Sequence, residues 1–154
     1  AAGKYSTTTG ASSAQTCINC GAGTYSSTLG ADSVYFCIQC EQGKYGRRTG
    51  STACENCAAG KYSGALGATS ASQCQACEPG KYLPTAGNDA EVDCINCPSG
   101  TYSGIYSATA VANCQSCPAG KTSQEGSVEV AACMSECPPG FTGPALQCTP
   151  CPSG

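Results

Sequence analysis

The sequence predicts a small, disulfide-rich β fold: an elongated, solenoid-like rod of roughly 20-residue repeats, built from short two-stranded units with little helix. Three observations carry that expectation. Cysteine supplies 16 of the 154 residues, a density found in disulfide scaffolds. Large apolar side chains are scarce, with no Trp, 2 Phe and 1 Met, and much of the 40% hydrophobic content is Ala and Cys. Such a chain cannot bury one thick core, so covalent cross-links must replace burial. The third observation is that the whole chain is one motif repeated.

Cutting after the second cysteine of each pair gives units 1–20, 21–40, 41–57, 58–77, 78–97, 98–117, 118–137 and 138–151, with 152–154 opening another. Together they read as a single tandem-repeat rod over 1–154. Most units have 20 residues, the third has 17 and the eighth 14, and the seventh closes with Cys-x-x-x-Cys. The consensus runs x-x-Gly-(Lys/Thr)-Tyr-Ser, then a Gly-(Ala/Ser) turn, then Cys-x-x-Cys. The opening glycine, as at Gly3 and Gly43, suits a tight turn with positive φ. The Lys-Tyr-Ser or Thr-Tyr-Ser that follows favours a short strand. A second turn is expected near Gly10, Gly30, Gly50, Gly67 and Gly87, and the segment before the next cysteine is expected to return as a second strand. One helical turn is expected in AEVDCINC and another in SVEVAACMSEC. A unit this small cannot bury a face alone, so neighbouring units must share cysteines and tyrosine rings.

Paired cysteines serve three chemistries. Zinc or an iron–sulfur cluster needs two knuckles closed on one metal, with thiolates kept reduced. Here the inter-knuckle segments are near-uniform turn-and-strand repeats, and there is no His. A thioredoxin-like redox site needs one knuckle opening a helix after a strand, and these knuckles are many and lack that context. Structural disulfides account for the pattern best; neither a metal nor a cofactor is expected. Connectivity stays open at this point, because an interlaced pattern (Cys17 with Cys37, Cys20 with Cys40) suits the same spacing.

The stretch CPSGTYSG, followed by CQSCPAGKTS, resembles the ephrin-receptor-like cysteine-rich repeat. It is also similar to the first half of a tumour-necrosis-factor-receptor cysteine-rich module, and comparable repeats occur in protist surface antigens and extracellular fibre proteins. The resemblance covers essentially the whole chain and is specific for architecture, not for function. It implies that the cysteine before each Gly-x-Tyr joins the first cysteine of the next knuckle. Carried over by position, the pairs are Cys20–Cys37, Cys40–Cys54, Cys57–Cys74, Cys77–Cys94, Cys97–Cys114, Cys117–Cys133 and Cys137–Cys148. Cys17 and Cys151 are then left over, as expected of an excerpt from a longer repeat protein or of copies joined head-to-tail by an intersubunit disulfide. The sequence has no starting Met and no signal peptide, and reads as a processed or truncated piece of something larger.

Tyr5, Tyr25, Tyr45, Tyr62, Tyr82 and Tyr102 recur at the repeat period and are expected to pack on disulfides or neighbouring units, not to form a binding face. The pattern fades at Thr122 and Thr142. Hydroxyl clusters at Ser6, Thr7, Thr8 and Thr9, at Ser12 and Ser13, and at Ser26, Ser27 and Thr28 are candidates for O-linked glycans. No Asn-x-Ser/Thr sequon is present, so standard N-glycosylation is not expected. Asp89, Glu91 and Asp93, with Glu78 in the same unit, lack a calcium-loop spacing and read as a solvated loop.

Net charge is −3 and the only basic run is Arg47-Arg48, which excludes the basic stripe a nucleic-acid partner needs. No run of about 18 apolar residues is present to span a membrane. No catalytic constellation, phosphate loop or cofactor fingerprint appears, so the chain is not expected to be an enzyme. The expectation is a secreted, extracellular or cell-surface protein. Its role is that of a structural subunit or segment of a filament or coat, with glycans and copies of itself or a longer parent chain as partners. The alternative is a ligand-binding or stalk module of a receptor ectodomain or surface antigen. In that case the third unit, or the irregular seventh and eighth, would carry the recognition patch.

Overall fold

A computed structural model describes residues 1–10 and 13–135, with strands also placed at 141–142 and 149–150. Among these residues the strands form eight two-stranded sheets, each pairing neighbours in the sequence. The chain divides into two compact units, one of Ala1–Gln75 with Thr85–Asp93, the other of Ala76–Pro84 with Cys94–Gly154.

In the first unit, β1 (Lys4–Tyr5) pairs antiparallel with β2 (Ile18–Asn19), placing Lys4 opposite Asn19 and Tyr5 opposite Ile18. The hairpins Thr24–Tyr25 with Ile38–Gln39 and Lys44–Tyr45 with Glu55–Asn56 repeat that register. In the second unit, Lys81–Tyr82 pairs with Ile95–Asn96, Thr101–Tyr102 with Gln115–Ser116 and Lys121–Thr122 with Met134–Ser135. The returning strand was expected before the knuckle. It lies inside the knuckle instead, on the two residues between the cysteines. The segment before the knuckle is a one-turn 3-10 helix in six repeats: Ala14–Thr16, Val34–Phe36, Ala71–Gln73, Glu91–Asp93, Val111–Asn113 and Val130–Ala132. Only the fourth and sixth of these turns were expected. A capping serine explains three others: the hydroxyls of Ser13, Ser33 and Ser70 accept the N–H two residues on. The shortened third repeat has no such turn.

Among the described residues, backbone hydrogen bonds tie successive repeats together. In the first unit the Gly3 N–H donates to the Ser26 carbonyl (2.7 Å) and the Ser6 N–H to the Ala31 carbonyl (2.9 Å). The same two bonds recur from Gly43 to Ser63 and from Gly46 to Ala68, and in the second unit from Gly80 to Ser103 and from Leu83 to Ala108. Repeats two apart also touch. The Gly50 N–H donates to the Cys20 carbonyl at 2.8 Å, Gly67 to Cys40 at 2.7 Å and Gly87 to Cys57 at 2.8 Å.

The interior is thin. The second cysteine of each knuckle is fully buried at Cys20, Cys40, Cys57, Cys77 and Cys97. In the first unit Tyr45 packs with Cys57, Ala68 and Cys74, with Ala65 against them. The residue after the periodic tyrosine is buried at Ser26, Ser63 and Ser103, and in the fifth repeat this slot holds Leu83, the largest fully buried side chain among the described residues.

Candidate functional site

The feature that dominates the chemistry is the run of cystines. The structure joins Cys20 to Cys37, Cys40 to Cys54, Cys57 to Cys74, Cys77 to Cys94, Cys97 to Cys114 and Cys117 to Cys133. Each bond closes 14 to 17 residues, with Cα atoms 5.4 to 5.9 Å apart. These distances suit an unstrained cystine. Their sulfurs are oxidised, so none of the twelve is a thiolate for metal binding. Cys17 is half-buried and unpaired among the described residues. The remaining calls, Cys137–Cys148 and the intersubunit position Cys151, lie outside the described residues, as does Ser12.

The hydroxyl candidates separate by burial. Thr7, Thr8, Thr9, Ser13, Ser27 and Thr28 are exposed, and Ser6 is half-buried. Ser26 is a correction: it is 1% exposed and its Oγ faces the Thr28 N–H at 3.4 Å. Its slot is the inward position after the tyrosine, so no glycan fits there in the folded chain.

Arg47, offered as part of a recognition patch, is folded back onto its own hairpin. Its Nη2 lies 2.7 Å from Glu55 Oε2, and its guanidinium sits 5.7 Å from the Tyr45 ring centroid. The Tyr45 hydroxyl donates to the same carboxylate oxygen at 3.1 Å. The hydrogen bond from Arg47 holds the Glu55 carboxyl below its ordinary 4.5. Burial, and then the bond to Glu55, push the Tyr45 hydroxyl above 10.0. Glu55 therefore stabilises the fold above its ordinary pKa, and that contribution is lost as pH falls through its lowered value. Tyr45 contributes fully below 10.0, and its contribution is lost as pH rises through its raised value. A carboxyl titration followed by NMR should place the Glu55 midpoint below 4.5 and return it toward that value in Arg47→Ala. An unshifted midpoint in the unsubstituted chain contradicts the triad.

The acidic group is likewise occupied locally. Asp93 Oδ2 accepts the Ala90 N–H at 3.1 Å, closing the 3-10 turn of its repeat. Among the described residues no three of His, Cys, Asp or Glu are gathered as a metal site. No helix of these residues is long and apolar enough to cross a membrane.

One feature escaped the sequence reading. The 3-10 turn of the second repeat reads Val34-Tyr35-Phe36, and all three side chains are exposed, Tyr35 at 91%. The signal was a turn with two adjacent aromatics where the first and fourth repeats carry Ala-Gln-Thr and Ala-Ser-Gln. An adjoining cluster of exposed apolar side chains marks a contact surface more often than a scattered one does.

No curated protein matches the chain. Residues 28–74, which carry Cys37, Cys40, Cys54, Cys57 and Cys74, match the cysteine-rich repeat family described as tyrosine-protein kinase ephrin type A/B receptor-like.

Proposed function

We propose that the chain is a non-catalytic structural segment of a secreted extracellular filament or coat, with O-linked glycans on its exposed hydroxyls. The observation that carries this reading is that the stacking bonds are backbone bonds, repeated from unit to unit. Stacking therefore rests mainly on the backbone, and successive repeats offer the same mechanical element. The cystines support the extracellular setting, since such bonds persist in oxidising compartments. The receptor-like family match over residues 28–74 supports it too. Under tension, each cystine shortens the length that a partly opened repeat can release.

A second reading is a binding module, and Val34-Tyr35-Phe36 is the observation that favours it. Gel migration and intact mass of the native material, with and without reductant, separate the two. The structural reading expects sugar-bearing material of high mass, either disulfide-joined copies of the chain, head-to-tail, or a much longer reduced polypeptide. A small, sugar-free monomer under both conditions overturns it and leaves the binding module.

A further inference from the structure

After the first strand of a repeat, a hydroxyl fastens the loop in four cases. Ser6, Ser26, Ser63 and Ser103 accept the N–H two residues on, from Thr8, Thr28, Ala65 and Ile105, at 3.3 to 3.4 Å. The third repeat has Gly46 in that slot, and the N–H deprived of the hydroxyl is that of Arg48. This repeat also lacks the 3-10 turn whose backbone bonds close the same loop elsewhere, as from Phe36 to Ser33 and from Gln73 to Ser70. Among the described residues, Gly50 is the one residue from Arg47 to Cys54 whose N–H donates a hydrogen bond, to the Cys20 carbonyl. Arg47, Arg48 and Thr49 are exposed. Side-chain bonds hold them: Ser51 Oγ donates to the Arg48 carbonyl at 2.9 Å, and Asn19 Nδ2 to Thr49 Oγ1 at 3.4 Å. Exposed bonds of this kind exchange with water at little net cost, so the loop opens locally without the rest of the fold.

The same loop carries both arginines of the chain, side by side. They are not equivalent. Arg47 is committed to Glu55 and to the Tyr45 ring. Arg48 takes part in no ion pair among the described residues. Lys4, Lys44, Lys61, Lys81 and Lys121 all lie in paired strands, where the backbone cannot enter a protease cleft without breaking a sheet. The unfastened loop and the free basic side chain therefore coincide at one peptide bond.

We propose that Arg48–Thr49 is a processing site for an endoprotease whose specificity pocket holds a carboxylate, and that the product is a two-chain form that stays assembled. Arg48 supplies the guanidinium that pairs with that carboxylate. Water adds across the amide: its hydroxyl goes to the Arg48 carbonyl carbon and its hydrogen to the Thr49 nitrogen as the C–N bond breaks. Cys40 and Cys54 lie on opposite sides of the cut and are bonded to each other. Backbone bonds cross it too, from Ser26 to Ser51 at 3.1 Å, Gly43 to Ser63 at 2.7 Å, Gly46 to Ala68 at 2.8 Å and Gly67 to Cys40 at 2.7 Å. The cut thus turns Cys40–Cys54 from a loop staple into the covalent link between residues 1–48 and 49–154. The product, unlike the intact chain, can be parted by a thiol. The inference does not rest on the proposed function, since a filament segment and a binding module would be processed alike.

The test treats the oxidised full chain with trypsin, whose pocket has the required carboxylate, and reads the products by intact mass and by gel with and without reductant. The expected result is one early cut, at Arg48–Thr49. The non-reduced product should keep the mass of the chain plus one water, and reduction should separate 1–48 from 49–154. Arg48→Gln should remove the early cut. Thr28→Arg puts an exposed arginine into the fastened loop of the second repeat, which should stay whole while Arg48 is cleaved. Four results overturn the proposal. The oxidised chain stays uncut while a denatured control is digested; a lysine bond is cut first; the fragments part without reductant; or the loop of Thr28→Arg is cut as fast as Arg48–Thr49.

Discussion

Reduction of the cystines is expected to unfold the described repeats outright at neutral pH and room temperature. Each of the six closes a loop of 14 to 17 residues. In the chain-entropy account a loop of that size is worth roughly 3 kcal/mol. The terms are not additive, but a domain's whole stability is about 5–15 kcal/mol, so losing even a few of them exceeds the margin. Nothing else replaces them. The buried set is mostly cysteine, alanine and serine, with Leu83 and Tyr45 as the larger members. The ion pairs of Lys44 with Glu41 and of Arg47 with Glu55 are exposed and screened. Amide proton dispersion should collapse in a reduced and alkylated chain. Retained dispersion would show that packing alone carries the fold.

The second large effect is at the contact between repeats two apart. Gly43→Ala is expected to cost about 3 kcal/mol, from left-handed strain of roughly 1–2 kcal/mol together with overpacking. Gly43 has φ of 75°, and a Cβ there would be driven into the carbonyl of Gly87. The backbone cannot step aside, because the Gly43 N–H donates to Ser63 at 2.7 Å and its carbonyl accepts from Cys57 at 2.8 Å. Gly10→Ala is the control. Its φ is 68° and the space around it is open, so it should cost only the strain, about 1 kcal/mol. Urea denaturation of both oxidised variants measures the difference. Equal costs would mean that the contact two repeats away does not restrain the turn.

How much of this was readable from the residues depends on the range of the interaction. The repeat length, the positive-φ glycines and the Lys-Tyr strand are local, and each can be read from one unit. The second strand was misplaced because a serine cap, not strand propensity, governs the segment before the knuckle, as at Ser33 and Ser70. The inward slot of Ser26 could not be told from an exposed hydroxyl, since small polar residues suit a thin interior and a surface equally. Contacts two repeats apart leave no periodic mark, because they add nothing to the period. Their trace is an Asn or Gln lying against a glycine two repeats on, as Asn19 against Gly50 and Asn56 against Gly87, which is visible only once the repeats are stacked. The cystine pairing was open on spacing alone, and the resemblance supplied the choice.

The most direct test of the account is a non-reduced peptide map of the oxidised chain, with free thiols blocked before digestion. The account predicts cross-links Cys20–Cys37, Cys40–Cys54, Cys57–Cys74, Cys77–Cys94, Cys97–Cys114 and Cys117–Cys133. Finding the interlaced links Cys17–Cys37 and Cys20–Cys40 instead would contradict it, because the buried knuckle cysteines and the backbone bonds between repeats could not then keep their places.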